Sequence, residues 1–248
     1  MKNSHFCCLL LFFIAGISAA GHLASVQFLG FSDDGMFAAM EEYWISDGSG
    51  APGAELVIKS VSADSVIHRC SILWPEELLY ADGEEKVFLN FDNPALDSVR
   101  ASSRILLDSL GITTENMGVH CIHHPLTDRS AVQDRVSFVT WLGTYSYMGP
   151  EYTLQLLNHT EMPESSPEWL MMFDSPVLLE LIITDQTGET HMSHMDSSPE
   201  PGYEYVSEYR IRDVYVERDS LLVIILNTVE PGFEGADGRF RMITGVLD

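Results

Sequence analysis

Three groups of residues in this chain are of types that could do chemistry. His120, Cys121, His123 and His124 crowd together, with His191 and His194 farther on. Imidazole nitrogens and thiolates are the donors a tetrahedral zinc takes. Val119, Ile122 and Pro125 around them read as extended chain, in which His120 and Cys121 point to opposite faces. The run therefore reads first as ordinary surface and core histidines. The second group is acidic: Asp33, Asp34, Glu41, Glu42 and Asp47, then Glu230, Glu234 and Asp237. Calcium takes carboxylate and carbonyl oxygens, and the loop Asp47, Gly48, Ser49, Gly50 sets a carboxylate beside freely turning backbone. Asp47, Glu234 and Asp237 are the candidate cation ligands. No complete calcium-loop spacing is present, and the plainer reading is carboxylates that order turns. The third group is catalytic. Glu41 or Glu42 could be one of two carboxylates flanking a glycosidic bond. There is no nucleophile elbow, phosphate loop or HExxH motif, so catalytic residues stay unassigned and no cofactor is implied, calcium apart.

The compartment is written at the start of the chain. Lys2 precedes an apolar stretch over residues 6–15, and Gly16, Ser18, Ala19, Ala20 and Gly21 follow, the layout of a secretory signal peptide cleaved after Ala20. About fifteen apolar residues fall short of the ~20 a spanning helix needs, so the expectation is a secreted or periplasmic protein with no membrane insertion after cleavage. Residues 21–248 are expected to form a single β-rich domain. Loss of residues 1–20 takes away one cation, Lys2, and no acid, so a net charge of −24 becomes −25. A surface of that sign repels phosphate backbones and anionic lipid. Nucleic acid is thereby excluded, and an extracytoplasmic protein or glycan is left as the partner. Cys70 and Cys121, the cysteines beyond the leader, are a disulfide candidate in an oxidising compartment; two buried free thiols are the alternative.

The elements that must position these groups are short and β-rich. Strands are predicted over 26–31, 36–45, 55–61, 134–145, 152–157, 177–184, 203–216, 221–229 and 240–247. Residues 221–226 are apolar on both faces, which places them inside a sheet packed on both sides. One helix runs from a cap at Asn93, with Pro94 in its first turn, to Gly111; its narrow apolar stripe puts it on the outside of a sheet. Loops are read over 161–168 and 197–202. The fold class is mostly β: an antiparallel sandwich or propeller-like sheets with one peripheral helix.

Residues 26–61 are echoed without a gap at 211–246. Asp34 matches Asp219, Gly50 matches Gly235, Ala51 matches Ala236, Gly53 matches Gly238, Ile58 matches Ile243 and Val61 matches Val246. The turn, the glycines and three apolar runs keep register, which reads as a pseudo-repeat of two three-stranded units in one sheet or in facing sheets.

Several residues match a known family. Phe31, Ser32, Asp33, Asp34 and Gly35, then Glu41, Glu42 and Tyr43, then Asp47, Gly48, Ser49, Gly50 and Pro52 resemble the opening of the predicted secreted proteins grouped as domain of unknown function 2259. Gly232, Phe233, Glu234, Gly235, Asp237 and Arg239 resemble that family's close, and Pro125, Leu126, Thr127, Asp128 and Phe138 its middle. The chain departs from the pattern at Gly53, where an aromatic is expected, and between Ser193 and Tyr203, where a more basic loop is expected. The resemblance implies export and a β-rich domain, with no established chemistry. The leading reading is an exported binding or envelope-scaffold domain that meets its partner through loops such as 47–53 and 232–238. The alternative is an envelope glycan hydrolase using paired carboxylates; the balance leans away from an enzyme.

Overall fold

Leu222, Ile224 and Leu226 are buried on one side of their strand and Val223 and Ile225 on the other, so both faces of this segment meet protein. That requirement organises the molecule. The computed structural model describes residues 23–46, 48–75, 79, 86–89, 92–125, 132–141, 148–160, 176–232 and 236–247. A first antiparallel sheet takes its strands in chain order: β1 (Ser25–Phe31), β2 (Phe37–Ile45), β3 (Pro52–Ser60) and β4 (Ser65–Leu73). Helix α1 (Pro94–Leu110) follows, then β5 (Val119–His123). A separate meander is built from β6 (Arg135–Trp141), β7 (Met148–Thr160), β8 (Val177–Asp185) and β9 (Thr190–Met195). The chain ends in β10 (Glu208–Glu217), β11 (Leu221–Pro231) and β12 (Ala236–Val246), and β5 adds to them as an edge, giving the order β12-β11-β10-β5.

The layers follow from which side chains share a cluster. Phe28, Phe31, Met40 and Val57 of the first sheet pack on Val223, Ile225, Phe240 and Met242 of the β12-β11-β10-β5 sheet. The other face of that sheet, through Ile211, Val214, Leu222, Ile224, Leu226 and Ile243, packs on Leu154, Leu156, Leu179, Leu181 and Ile183 of the meander. The far face of the first sheet, with Ala39, Ala54, Leu56 and Ile58, is covered by Ala95, Leu96 and Val99 of α1. The order is helix, sheet, sheet, sheet, with no closed barrel. A fully buried aliphatic side chain contributes about 1.5–3 kcal/mol, so the middle sheet, apolar on both faces, holds the stack together.

Local chemistry fixes the ends of α1. The Asn93 side chain accepts from the Ala95 and Leu96 amides, and Gly111 takes φ 64° to close the helix. The Asn93 amide also donates to the Trp44 and Gly53 carbonyls at 3.0 and 3.2 Å, tying the helix start to the first sheet. Trp44 lies over Gly53, where a Cβ would come within 2.3 Å of the indole.

The two echoed units occupy facing sheets. Under the 185-residue offset their second hairpins share one register: Trp44 pairs with Gly53 as Val229 does with Gly238, and Ala39 with Ile58 as Ile224 does with Ile243. The first hairpins coincide between their bulges, where Phe28 pairs with Met40 as Asp213 does with Ile225, and differ by one position on either side; the bulges lie between Phe28 and Gly30 in β1 and between Ile211 and Asp213 in β10.

Three strands depart from the sequence reading. β4, β5 and β9 are not among the predicted strands, though the chain around β5 reads as extended, and residues 203–207 form turns ahead of β10. β4, β5 and β9 are all sheet edges with little burial, so selection for an apolar period is weak there. Loop 161–168 lies outside the described residues. The disulfide candidate is corrected: Cys70 and Cys121 are free thiols. Cys70 packs on the α1 side of the first sheet, while Cys121 packs on the meander side of the middle sheet.

Candidate functional site

The three sheets meet along one edge, and there the structure places charged side chains inside otherwise apolar strands. Lys59 follows Ile58 in β3, and Arg241 stands between Phe240 and Met242 in β12; both are 3% exposed. A buried cation must be paired, and a chain of partners supplies this. Lys59 Nζ lies 2.9 Å from Asp64 Oδ1, in the β3–β4 turn. The Thr244 amide and hydroxyl also donate to that oxygen, at 2.9 and 3.1 Å. Asp64 Oδ2 faces His194 Nδ1 at 3.2 Å, and His194 Nε2 faces Asp196 Oδ1 at 3.1 Å. Arg241 holds Asp196 through two parallel bonds of 2.7 Å and donates from Nε to Glu200 at 2.9 Å. Arg69 of β4 reaches the other Glu200 oxygen at 3.0 Å and the Pro201 carbonyl at 2.9 Å. Charge alternates in sign at every step from Lys59 to Arg69.

Protonation follows from this order. With a carboxylate at each ring nitrogen, His194 is held as imidazolium, its pKa raised to about 9 chiefly by the hydrogen bond to Asp196 and then that to Asp64. Asp196 is held well below the usual carboxylate range, because the Arg241 and His194 bonds outweigh the cost of burying it. Asp64 is lowered likewise, by His194 and Lys59 against its burial.

Around this chain lies a cavity of about 570 Å³, lined among others by Asp64, Arg69, His194, Asp196, Glu200 and Arg241. A second cavity, of about 620 Å³, shares Asp64 and His194 and continues past Ser62, His191, Ser193 and Thr244. The Asp64–His194 pair is thus a wall common to both. Loop 197–202 closes the first cavity with Ser197, Ser198, Glu200 and Pro201.

Of the residues singled out by sequence, His191 and His194 reach these cavities, whereas His120, His123 and His124 belong to the β5 edge of the middle sheet. Glu41 and Glu42, either of which is the candidate for one carboxylate of the catalytic reading, each meet an arginine: Glu41 pairs with Arg100 of α1 and Glu42 with Arg239 of β12. Both are buried, at 0% and 1% exposure, on opposite faces of β2, so they do not line one cleft. Burial pushes the Glu42 carboxyl up to about 7 while Arg239 pulls it down. Asp34 accepts from the Ser32 hydroxyl and the Met36 amide, and Gly35 takes φ 78° to turn β1 into β2. Gly48 and Gly50 have φ of 79° and 70° in the β2–β3 connection, and Gly232 stands in the β11–β12 connection. Among the candidate cation ligands, Asp47 and Glu234 lie outside the described residues, as does Gly235, while Asp237 pairs with Glu230 across β11 and β12.

Lys59, Asp64, Arg69, Asp196, Glu200 and Arg241 were not singled out by sequence. A signal existed for two of them: a cation beside strongly apolar strand residues is costly unless partnered, and Lys59 follows Val57 and Ile58 while Arg241 stands between Phe240 and Met242.

The family model of the predicted secreted proteins grouped as domain of unknown function 2259 matches residues 39–245. No curated protein matches the chain. Among the described residues, no helix is long and apolar enough to cross a membrane.

Proposed function

The chain belongs to the family of predicted secreted proteins grouped as domain of unknown function 2259, and from that premise we propose that it is an exported binding domain whose ligand enters the cavity where the three sheets meet. The observation that carries this reading is the alternating chain of charges from Asp64 to Arg69 along the cavity wall, three carboxylates and three cations. Such a wall is pre-organised, because every charged group is already oriented by its neighbour. It is also internally neutralised, so a ligand with a large net charge would have to displace a partner from a buried ion pair. A neutral, hydroxyl-rich ligand avoids that cost: sugar hydroxyls donate to carboxylates such as Glu200 and accept from guanidinium groups such as Arg69. The ligand class is therefore a glycan, and the leader over residues 1–20 supports a periplasmic or secreted site of action.

Binding is favoured over hydrolysis by the state of the carboxylates. A glycosidase needs one carboxylic acid that keeps its proton near neutral pH. Asp64 and Asp196 are shifted the other way, and Glu42, whose carboxyl is raised, is sealed against Arg239 and Phe240.

Calorimetric titration of the exported protein with a panel of neutral oligosaccharides, alongside acidic and basic peptides, tests the proposal. Saturable binding of an oligosaccharide, weakened at least tenfold by Arg69→Met, is the expected result. Binding confined to the peptides, or a glycan affinity indifferent to Arg69→Met, would overturn it.

A further inference from the structure

On the far edge of the middle sheet, away from that cavity, we propose that His120, His123 and Asp213 form a site for a divalent transition metal of the zinc class. His120 Nε2 lies 2.8 Å and His123 Nδ1 2.6 Å from the same oxygen, Asp213 Oδ1. Two imidazole nitrogens and one carboxylate oxygen thus converge within 4.8 Å of one another. The set mixes nitrogen and oxygen donors as zinc sites with an open position do.

The backbone is built for this convergence. Residues three apart on a regular strand face opposite ways, which would separate His120 from His123. The pairing of β5 with β10 instead runs Asp213 to His123, Val214 to Ile122, then Tyr215 to His120, leaving Cys121 as the extra residue of a bulge. That one insertion brings both histidines to the face that carries Asp213 and Tyr215. Val214, Val216 and Ile122, meanwhile, pack into the core on the other side. A second bulge stands directly behind it: β10 pairs Ile211 with Leu226 and Asp213 with Ile225, so Arg212 is extra there. Bulges that re-aim side chains in this way gather at functional sites.

The surroundings complete the design. Asp213 is 3% exposed, and its second oxygen is held by Arg212 Nη1 at 3.1 Å, which leaves Oδ1 free to serve both histidines. The His120 ring stacks on Tyr215 with centroids 4.2 Å apart, fixing its orientation. A cavity of about 340 Å³ opens over the group, lined also by Gln27, Phe28, Thr114 and Met117. In the metal-free geometry a proton on each facing nitrogen bonds Asp213. A metal takes the place of each facing proton, which moves to the far ring nitrogen of a neutral imidazole or leaves from an imidazolium; with bonds of about 2.0 Å its tetrahedral donors stand roughly 3.3 Å apart, so each nitrogen makes a small outward shift from the carboxylate oxygen it now meets at 2.6–2.8 Å. The histidine side chains are 40% and 49% exposed and have room to make it. The remaining coordination position faces the cavity, so the site is open to exchange.

Calorimetry of the full chain, untagged and freed of metal, with zinc chloride alone tests the site, with copper and nickel salts run in parallel. One ion should bind per chain, with release of protons and an affinity that falls as pH drops through the histidine range. His120→Ala and His123→Ala should each weaken binding at least tenfold, and the double variant should abolish it while still unfolding cooperatively in the metal-free state. His191→Ala probes the other group of converging donors, Asp185, Glu189 and His191, and should leave the zinc isotherm unchanged. Absence of saturable binding for all three ions, binding that survives in the double variant, or loss on His191→Ala instead would overturn the assignment.

Discussion

Glu41 and Glu42 are neighbours in sequence, yet each is clamped by an arginine from a different layer: Arg100 of α1 holds the first and Arg239 of β12 the second. Successive side chains on a strand face opposite ways, so one acidic pair ties β2 to the helix above it and to the sheet below it. Arg239 also lies over the Trp44 ring, 4.3 Å from its centroid, and the Phe240 amide donates to Glu42 at 3.0 Å. Glu41 and Glu42, either of which the sequence offers as one member of a carboxylate pair, are each a cross-layer tie.

The two ties should differ in strength. Removing one partner of a buried ion pair leaves an uncompensated charge, at a cost of about 3–5 kcal/mol. Arg239→Ala should fall in that range, because its side chain is 20% exposed and Glu42 is sealed. Arg100 is 47% exposed, so water can approach Glu41 when it is removed, and Arg100→Ala should cost roughly half as much. Urea denaturation of both variants measures the difference; equal costs would show that layer position does not matter. Adding Glu42→Gln to Arg239→Ala should recover part of the loss.

The folded pKa of His194, about 9, stands above its ordinary value of 6.5. A raised pKa means that the folded state binds the proton more tightly, so this contribution is full below about pH 6.5 and is lost as pH rises through about 9. The gap between 6.5 and about 9 bounds it at about 3 kcal/mol. Asp64 and Asp196, which face His194, act in the opposite window: their depressed values support the fold above their ordinary 3.8 and fail as pH falls below it. Stability measured across pH should therefore fall on the alkaline side, and His194→Gln should flatten that fall. An unchanged alkaline slope in the variant would count against the ion pairs at His194.

Burial explains what could be read from the sequence. Strands β2, β8, β11 and β12 were legible because they are packed on at least one face and carry strong apolar runs, and Asn93, Pro94 and Gly111 marked the helix through their capping roles. β4 and β9 were not, since edge positions leave side chains half in water. The charge network was hidden for another reason: Lys59, Asp64, His194, Asp196 and Arg241 come from three sheets, and no local spacing records an encounter across them. The histidine cluster was half legible. Its residue types stood out, but the bulge at Cys121 that brings His120 and His123 to one face is a pairing irregularity, invisible without the partner strand.

Both thiols should react in the exported protein without reductant. Cys70 and Cys121 lie against different core clusters, and burial pushes the Cys121 thiol up to about 11, so at neutral pH it is a weak nucleophile. Thiol counting in urea should give two free groups, while native labelling of Cys121 should stay slow until the pH is strongly alkaline. A count of zero in urea without reductant would mean that the two cysteines pair after all.

Deleting residues 239–248 should unfold the whole domain rather than fray a tail. The last strand is not peripheral to the core: Phe240 and Met242 fill the space against the first sheet, and Ile243 that against the meander. It also supplies Arg239 and Arg241, whose loss would leave Glu42, Asp196 and Glu200 buried or half-buried without their cations. The start of the described chain depends on it too, since Leu23 bridges to Gly238 and the Ala24 amide bonds the Gly238 carbonyl at 2.9 Å. At the opposite end of the same units, Arg218 donates to the Asp34 carbonyl at 2.8 Å, and a Cβ on Gly35 would press Leu221. The two echoed turns therefore pack on each other, and the units cannot part without opening both sheets. Circular dichroism of the truncated protein should show no cooperative thermal transition. A transition at the temperature of the full chain would mean that the facing units are stable apart and that β12 is dispensable.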